Sequence, residues 1–154
     1  MRVKRFIGVD YGEKRVGLAC ADEETMLAVP SRVFTFDNDY EEDLDHLSII
    51  IKGEADAVII GLPLNREGLE GPMCEKVREF AREIVFRTDL PVHFQDERYS
   101  TRANEGLLQG YPTEEKRKLI DALAAAGILQ TWLDKKKARA QFGSSESVKK
   151  EGEK

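Results

Sequence analysis

The feature that most constrains the fold is an unbroken apolar run at residues 57–61, AVIIG. A half-exposed strand would alternate apolar and polar side chains, whereas a continuous run is typical of a strand covered on both faces. The run leads directly into residues 62–65, LPLN, where Pro63 interrupts regular structure. The pattern therefore predicts a buried parallel strand in a sheet with helices on both faces.

Three strand patterns and a helix precede this run. Residues 6–9 and residues 16–20 are rich in strand-forming side chains, and the turn-like residues 11–15 between them predict a hairpin. A third strand at about 32–36 would extend the hairpin into a three-stranded meander. At residues 40–52, apolar side chains recur every three or four positions, which predicts a helix.

Helices and strands continue to alternate after the run. A helix carries its apolar stripe on Val77, Phe80, Ala81, Ile84 and Val85, and a strand follows at 90–94. A further helix is predicted at 100–109, and Thr113 can cap a last helix that ends near residue 134. The order predicts an α/β fold with a mixed five-stranded sheet, in which a three-stranded antiparallel meander is joined to two parallel strands. This is the topology of ribonuclease H-like domains.

Composition sets the expected class of protein and its domain limits. The 154 residues are 41% hydrophobic and 34% charged, which predicts one folded domain at 1–134. The charged residues 135–154 have almost nothing to bury, so we expect a disordered tail there. No apolar stretch approaches the roughly 20 residues of a membrane span, and the start is too short for a signal peptide. We therefore expect a cytoplasmic protein with no membrane association, in which Cys20 and Cys74 are reduced and structural.

The net charge of −5 is unfavourable for binding nucleic acid, because affinity for phosphates comes mainly from Lys and Arg. The basic residues are nevertheless clustered, so local charge matters more than the sum. The clusters are Lys14 with Arg15, Arg66, Arg98 with Arg102, and residues 116–118.

Asp10 ends an apolar strand, where a carboxylate is costly to bury without a cation or hydrogen-bond donors. An Asp before Tyr-Gly is also a common way to start a turn, which needs no ligand. Glycines at 8, 12 and 17 allow close backbone approach around Asp10, and Lys14 and Arg15 supply cations nearby. These neighbours favour a site for a metal ion or a phosphate.

Glu97 follows the strand predicted at 90–94. Ligands of open sheets gather at the carboxyl ends of parallel strands, so Asp10, Asn65 and Glu97 are expected to converge there. The alternative is an exposed loop in which Arg98 pairs with an acid.

Asp121 lies in the last helix, in line with a stripe of small and apolar side chains that includes Ala124, Ala125 and Ile128. Its alternative role is a surface acid that pairs with Arg117 or Lys118. Three acids at one end of a sheet can hold two Mg²⁺ or Mn²⁺ ions and so support phosphodiester hydrolysis. Oxygen ligands without a Cys–His cluster favour these ions over zinc, and His46 and His93 are too isolated to change this.

Four ordered blocks together resemble one family. Residues 8–19 resemble the opening motif of the YqgF family, also called RuvX. The further blocks are 61–65 with Gly68 and Pro72, 96–101 with Ala103, and 121–130. The resemblance covers about residues 5–134. Departures are modest: Leu123 stands where a smaller residue is frequent, and the tail is additional.

The resemblance implies a ribonuclease H-like nuclease that matures the 5′ end of the 16S rRNA precursor, with Holliday junction resolution as the alternative. It assigns Asp10, Glu97 and Asp121 as the catalytic and metal-holding acids. It assigns substrate contact or support to Asn65, Arg98 and Thr101. The remaining basic residues, Lys14, Arg15, Arg66 and Arg102, are predicted to hold flanking phosphates.

Two other functions compete with this one. A glycine-flanked Asp also occurs in actin-like ATPases and sugar kinases, but those need a second domain that 154 residues do not provide. A non-catalytic nucleic-acid-binding domain of the same fold is the stronger rival. RNA is the favoured partner, with a pre-ribosomal particle or a DNA junction as further options. A monomer suffices to trim one RNA end, whereas junction cleavage favours a homodimer.

Overall fold

The computed structural model describes residues 2–97 and 113–142. In chain order, the elements are β1 (Arg5–Tyr11), β2 (Arg15–Asp22), β3 (Val29–Thr35), α1 (Tyr40–Glu54), β4 (Ala57–Leu62), α2 (Pro72–Thr88), β5 (Val92–Asp96) and α3 (Thr113–Phe142). The helix predicted at 100–109 and most of the tail predicted at 135–154 lie outside the described residues.

The five strands form one mixed sheet in the order β3-β2-β1-β4-β5. β2 is antiparallel to both β1 and β3, while β4 is parallel to both β1 and β5. The predicted meander with two added parallel strands is therefore confirmed. All six residues of β4 are buried, as its unbroken apolar sequence indicated.

Helices cover both faces of the sheet, and alternating side chains of the strands divide the core into two layers. Val9, Leu18 and Ile60 pack on one face against apolar residues of α1 and α2. On the other face, Phe6 and Ile59 pack against the apolar stripe of α3. Among the described residues, no helix is long and apolar enough to cross a membrane.

Local sequence signals set the ends of the first two helices. Asp39 caps α1 by accepting a hydrogen bond from the backbone N–H of Glu42 at 3.3 Å. Pro72 occupies the first turn of α2, where its missing N–H costs little. Asp89 directly follows the last residue of α2 and has a left-handed φ of 61°. Cys20 and Cys74 are both free thiols.

Several element boundaries differ from the sequence-based predictions by one or more residues. β3 starts earlier, at Val29, and accommodates Pro30 because it is an edge strand. β5 starts two residues later, at Val92. The last helix continues past residue 134 to Phe142, because residues 135–141 are mostly good helix formers and bring positive charge to the helix C-terminus. Residues 135–142 are thus helical, and the tail prediction was wrong for this stretch.

Helix α3 lies unusually close to the sheet because glycines face it from three strands. A Cβ atom at Gly8 would lie 2.8 Å from the carbonyl oxygen of Ala125, and one at Gly17 would lie 2.0 Å from that of Asp121. A Cβ at Gly61 would lie 2.4 Å from Cδ1 of Ile128. At Gly8 and Gly17 no side chain larger than hydrogen fits without moving the helix backbone, and at Gly61 the side chains of Ile128 and Glu97 would have to move.

We predict that Gly17→Ala lowers the free energy of unfolding by about 2 kcal/mol, because the new methyl group must displace the α3 backbone. Chemical denaturation measures the change. Gly53→Ala is the control, since a Cβ at Gly53 has no atom within 4 Å, and Ala there should be neutral or stabilising by up to about 1 kcal/mol. Equal effects of the two substitutions would contradict the packing argument.

Candidate functional site

The strand β1 directs Asp10 towards α3. Side chains alternate along the strand, so Asp10 shares a face with Phe6 and Gly8, which lie under α3. Its register partner on β2 is Gly17. The space above this pair is consequently bounded by the sheet and by α3, and the Asp10 side chain is partly buried.

Glu97 reaches the same region from the end of β5. Its backbone N–H donates a hydrogen bond to the carbonyl oxygen of Leu62 at 3.2 Å, which extends the β4–β5 pairing by one step. A Cβ atom added to Gly61 would lie 2.4 Å from Oε1 of Glu97. The absence of a side chain at Gly61 therefore leaves room for this carboxylate.

Asp121 enters the region from α3, one helical turn before Ala125. Its backbone carbonyl lies over Gly17, and its Oδ2 accepts a hydrogen bond from Nε of Arg15 at 2.8 Å. About a quarter of each side chain of this ion pair is exposed (29% for Arg15, 22% for Asp121). The pairing with Arg117 or Lys118 that was the alternative role of Asp121 is replaced by a pairing with Arg15, across 106 residues of sequence.

The three acids are close enough for their charges to interact. Burial raises the pKa of Asp10 to about 7, and the negative charge of Asp121 adds to the effect. Burial also raises the pKa of Glu97 to about 8, with further contributions from Asp10 and Asp96. The surroundings of both carboxylates therefore supply too little positive charge to stabilise their ionised forms.

The charge and chemistry of this site fit a divalent cation. The side chains offer carboxylate oxygens, the ligands that Mg²⁺ and Mn²⁺ prefer, and a cation would relieve the repulsion between Asp10 and Glu97. Within residues 2–97 and 113–142, however, no three His, Cys, Asp or Glu side chains are arranged to hold a metal ion. In this structure the Asp121 carboxylate is paired with Arg15 through Oδ2.

The structure places the predicted substrate-binding residues in different settings. Lys14 is exposed in the β1–β2 turn, whereas Arg15 pairs with Asp121. Arg66 is exposed in the loop after β4. The predicted contacts Arg98, Thr101 and Arg102 lie outside the described residues.

Asn65 organises its own loop. Its side-chain oxygen accepts hydrogen bonds from the backbone N–H groups of Glu67 at 3.0 Å and Leu69 at 2.9 Å. This oxygen therefore holds the segment between β4 and α2 in shape. The contact with substrate predicted for Asn65 stays a prediction.

Sequence reasoning missed the roles of two glycines and one ion pair. Gly8 and Gly17 were interpreted as making space for a metal ion or phosphate, but the atoms nearest to them belong to α3. The pairing of Arg15 with Asp121 was also missed, because it joins distant segments. The histidines were placed correctly: His46 is exposed on α1, and His93 packs on Trp132.

We predict that, without metal ions, Asp10→Asn and Glu97→Gln each stabilise the protein at pH 8.5 by about 2 kcal/mol and leave it nearly unchanged at pH 4. Both acids have higher pKa values in the folded chain than in the unfolded one, so the parent protein loses stability as pH rises from about 4 to 8. Urea denaturation in EDTA at both pH values measures the effect. Exposed Glu24→Gln is the control, and a gain that is equal at both pH values would contradict this electrostatic origin.

Comparison with known proteins matches this chain to one family. The family described as "RuvX: Holliday junction resolvase" matches residues 4–135. A protein of Anaplasma marginale, called "Putative pre-16S rRNA nuclease", is 38% identical over 141 residues that cover 88% of each chain. A protein of the same name from Anaeromyxobacter is 41% identical over 133 residues, which cover 84% of this chain and 96% of that one.

Among solved structures, the Holliday junction resolvase of fowlpox virus is similar with a TM-score of 0.54 at 15% sequence identity. The similarity covers 85% of this chain and 99% of the viral chain, and it supports the predicted fold. The sheet order and the resolvase-like neighbours together identify a ribonuclease H-like fold. The match over residues 4–135 and the identity to curated relatives show that this chain belongs to the RuvX family, also called YqgF.

Proposed function

We propose that this protein is a metal-dependent nuclease that hydrolyses phosphodiester bonds during 5′-end maturation of the 16S rRNA precursor. The observation that carries the proposal is the meeting of three carboxylates from β1, α3 and the end of β5, two of which have strongly raised pKa values. The names of the curated relatives support the choice of substrate. Such a role would be carried out in the cytoplasm.

Asp10, Glu97 and Asp121 would hold Mg²⁺ or Mn²⁺, with two ions as the expected number. Ions of this kind activate a water molecule and stabilise the charge on the leaving oxygen. The protein contributes by fixing the carboxylates on rigid elements: Asp10 lies within the sheet, and Asp121 lies on a helix packed against glycines. A carboxylate on a loose segment would hold its ligand less accurately.

Arg15 has two uses in this proposal. In the structure it provides the positive charge next to Asp121. If Asp121 bound a metal ion instead, the guanidinium of Arg15 would be available for a phosphate oxygen. Contact with a phosphate is the role that the sequence predicts for Arg15. Exposed Lys14 and Arg66 would hold neighbouring phosphates, and Arg98, Thr101 and Arg102 are assigned similar roles from sequence.

Resolution of four-way DNA junctions is a second candidate function, because the matching family is described as a Holliday junction resolvase. A junction-resolving enzyme cuts two strands and is expected to act as a symmetric dimer. Determination of the oligomeric state by light scattering therefore separates the two candidates. A monomer favours the maturation of a single RNA end.

We predict that the purified protein cleaves labelled RNA that spans the 5′ end of 16S rRNA in Mg²⁺ or Mn²⁺ and is inactive in EDTA. Asp10→Asn should lower the rate at least about 100-fold, because a neutral amide holds a metal ion less well. Asp89→Asn is the matched control, since Asp89 is an exposed helix end with φ 61° that Asn adopts equally well. Single-stranded DNA and a four-way junction are tested in parallel.

Cleavage of the junction alone would replace the rRNA proposal with junction resolution. Binding of RNA without cleavage, identical in the parent and Asp10→Asn, would identify a non-catalytic binding domain. Cleavage by Asp10→Asn at the parent rate would refute the catalytic assignment.

We also predict that Arg15→Gln tightens Mn²⁺ binding about fivefold, because the ion pair competes with the metal for Asp121 and a pair of this exposure contributes about 1 kcal/mol. Isothermal titration calorimetry measures the dissociation constant without requiring activity. Arg15→Lys retains the positive charge and should bind Mn²⁺ nearly as the parent does. Weaker binding by Arg15→Gln would mean that Arg15 supports the metal-bound arrangement of the site.

A further inference from the structure

A group of basic and aromatic residues lies on the α3 side of the sheet, at the opposite end from the carboxylates. It is formed by Lys4 before β1, His93 on β5, and Trp132, Lys136 and Arg139 on α3, and is called the basic–aromatic patch. The three α3 residues are spaced by four and three positions, so they lie on one face of the helix. These three residues of α3 lie near the amino ends of β1 and β5, whereas Asp10 and Glu97 lie at the carboxyl ends of these strands.

Ring contacts fix the centre of the patch. The ring centroids of Trp132 and His93 are 5.1 Å apart, and the Trp132 ring lies 5.4 Å from that of Phe6. The Nζ atom of Lys136 lies 5.6 Å from the Trp132 centroid, and that of Lys4 lies 5.8 Å from the Phe6 centroid. The cations therefore lie over aromatic faces, where both can contact one ligand.

The positive charges of the patch converge on His93, and the Glu23 carboxylate contacts the patch at the backbone N–H of Lys4, from which it accepts a hydrogen bond at 3.1 Å. Burial lowers the pKa of His93, and the charges of Lys4, Lys136 and Arg139 lower it further. In the part of the chain that the structure describes, no carboxylate pairs with Lys136 or Arg139. Arg87, in contrast, is paired with Glu41, Asp45 and Glu83 on the other face of the sheet.

The patch belongs to a basic extension of α3. Residues 135–142 of α3 contain four basic side chains and no acidic one, although the whole chain has a net charge of −5. The family match ends at residue 135, so Lys136 and Arg139 lie beyond it. Lys136 and Arg139 are therefore not explained by the shared site, whereas Lys4 lies at the first residue of the match.

We propose that the basic–aromatic patch binds a single-stranded segment of the nucleic-acid substrate outside the position of cleavage. Lys4, Lys136 and Arg139 would contact phosphates, and the aromatic rings would stack on a base. Asp121 and Lys136 are 15 residues apart on α3, or about 22 Å at 1.5 Å per residue.

This inference depends on the proposed function, since it requires a nucleic-acid substrate. The test uses the full chain with Asp10→Asn, so that the strand is not cut during the measurement. Affinity for a labelled 12-nucleotide single-stranded RNA is measured by fluorescence anisotropy at several salt concentrations. The double substitution Lys136→Gln with Arg139→Gln is compared with Lys52→Gln and Arg82→Gln, two exposed cations of α1 and α2.

The patch substitutions are expected to weaken binding about tenfold at 0.1 M salt. They should also reduce the slope of log K against log salt by about 1.4, or about 0.7 for each lost phosphate contact. The control pair should stay within about twofold of the background protein. Lys136→Arg with Arg139→Lys keeps both charges and should restore affinity, which separates charge from folding.

Trp132 gives an independent readout because it is the single tryptophan of the sequence. RNA that stacks at the patch should quench the fluorescence of Trp132. The RNA concentration at half-maximal quenching should equal the binding midpoint measured by anisotropy. RNA binding that leaves both Trp132 fluorescence and the affinity of the patch variant unchanged would overturn this inference alone. No RNA binding by the background protein would overturn the proposed function as well.

Discussion

The close approach of α3 to the sheet is the constraint on which the site depends. Ordinary side chains between a helix and a sheet would separate the two layers, but Gly8 and Gly17 leave the helix backbone almost in contact with the strands, and Gly61 leaves room for the side chains of Ile128 and Glu97. The carbonyl of Asp121 thus rests over Gly17, the register partner of Asp10. A helix displaced outward by one methyl group would carry the Asp121 carboxylate away from its neighbours.

This packing brings together charges that oppose folding. Asp10 and Glu97 are partly buried, and each is easier to protonate than in water because burial and nearby acids disfavour the anion. Arg15 offsets part of the cost by pairing with Asp121. The raised pKa values of two partly buried acids lie at one end of the sheet, whereas the two core layers are built of buried apolar side chains, which is the pattern expected of a functional site.

The sequence predicted the mixed sheet and the approach of Asp10 to Glu97 because both follow from local patterns. The unbroken apolar run at residues 57–61 indicates a covered strand, and Asp10 and Glu97 directly follow strand signals. The role of Gly17 could not be derived in the same way, since the atom it makes room for lies 104 residues away on α3. The end of α3 was placed too early because charge was taken as a sign of disorder, although Lys, Arg and Ala also favour helices.

Charge distribution decides how an acidic protein can act on an acidic substrate. The net charge of −5 averages over two faces with different character. On α1, five acids accompany one lysine, and two of them, Glu41 and Asp45, pair with Arg87 of α2. On α3, the acid near the site is paired with Arg15, and the last turns are purely basic. A polyanion would therefore be repelled from the α1 face and attracted along α3 towards the carboxylates. This arrangement of charge would orient a nucleic-acid strand even though the net charge of the protein disfavours binding.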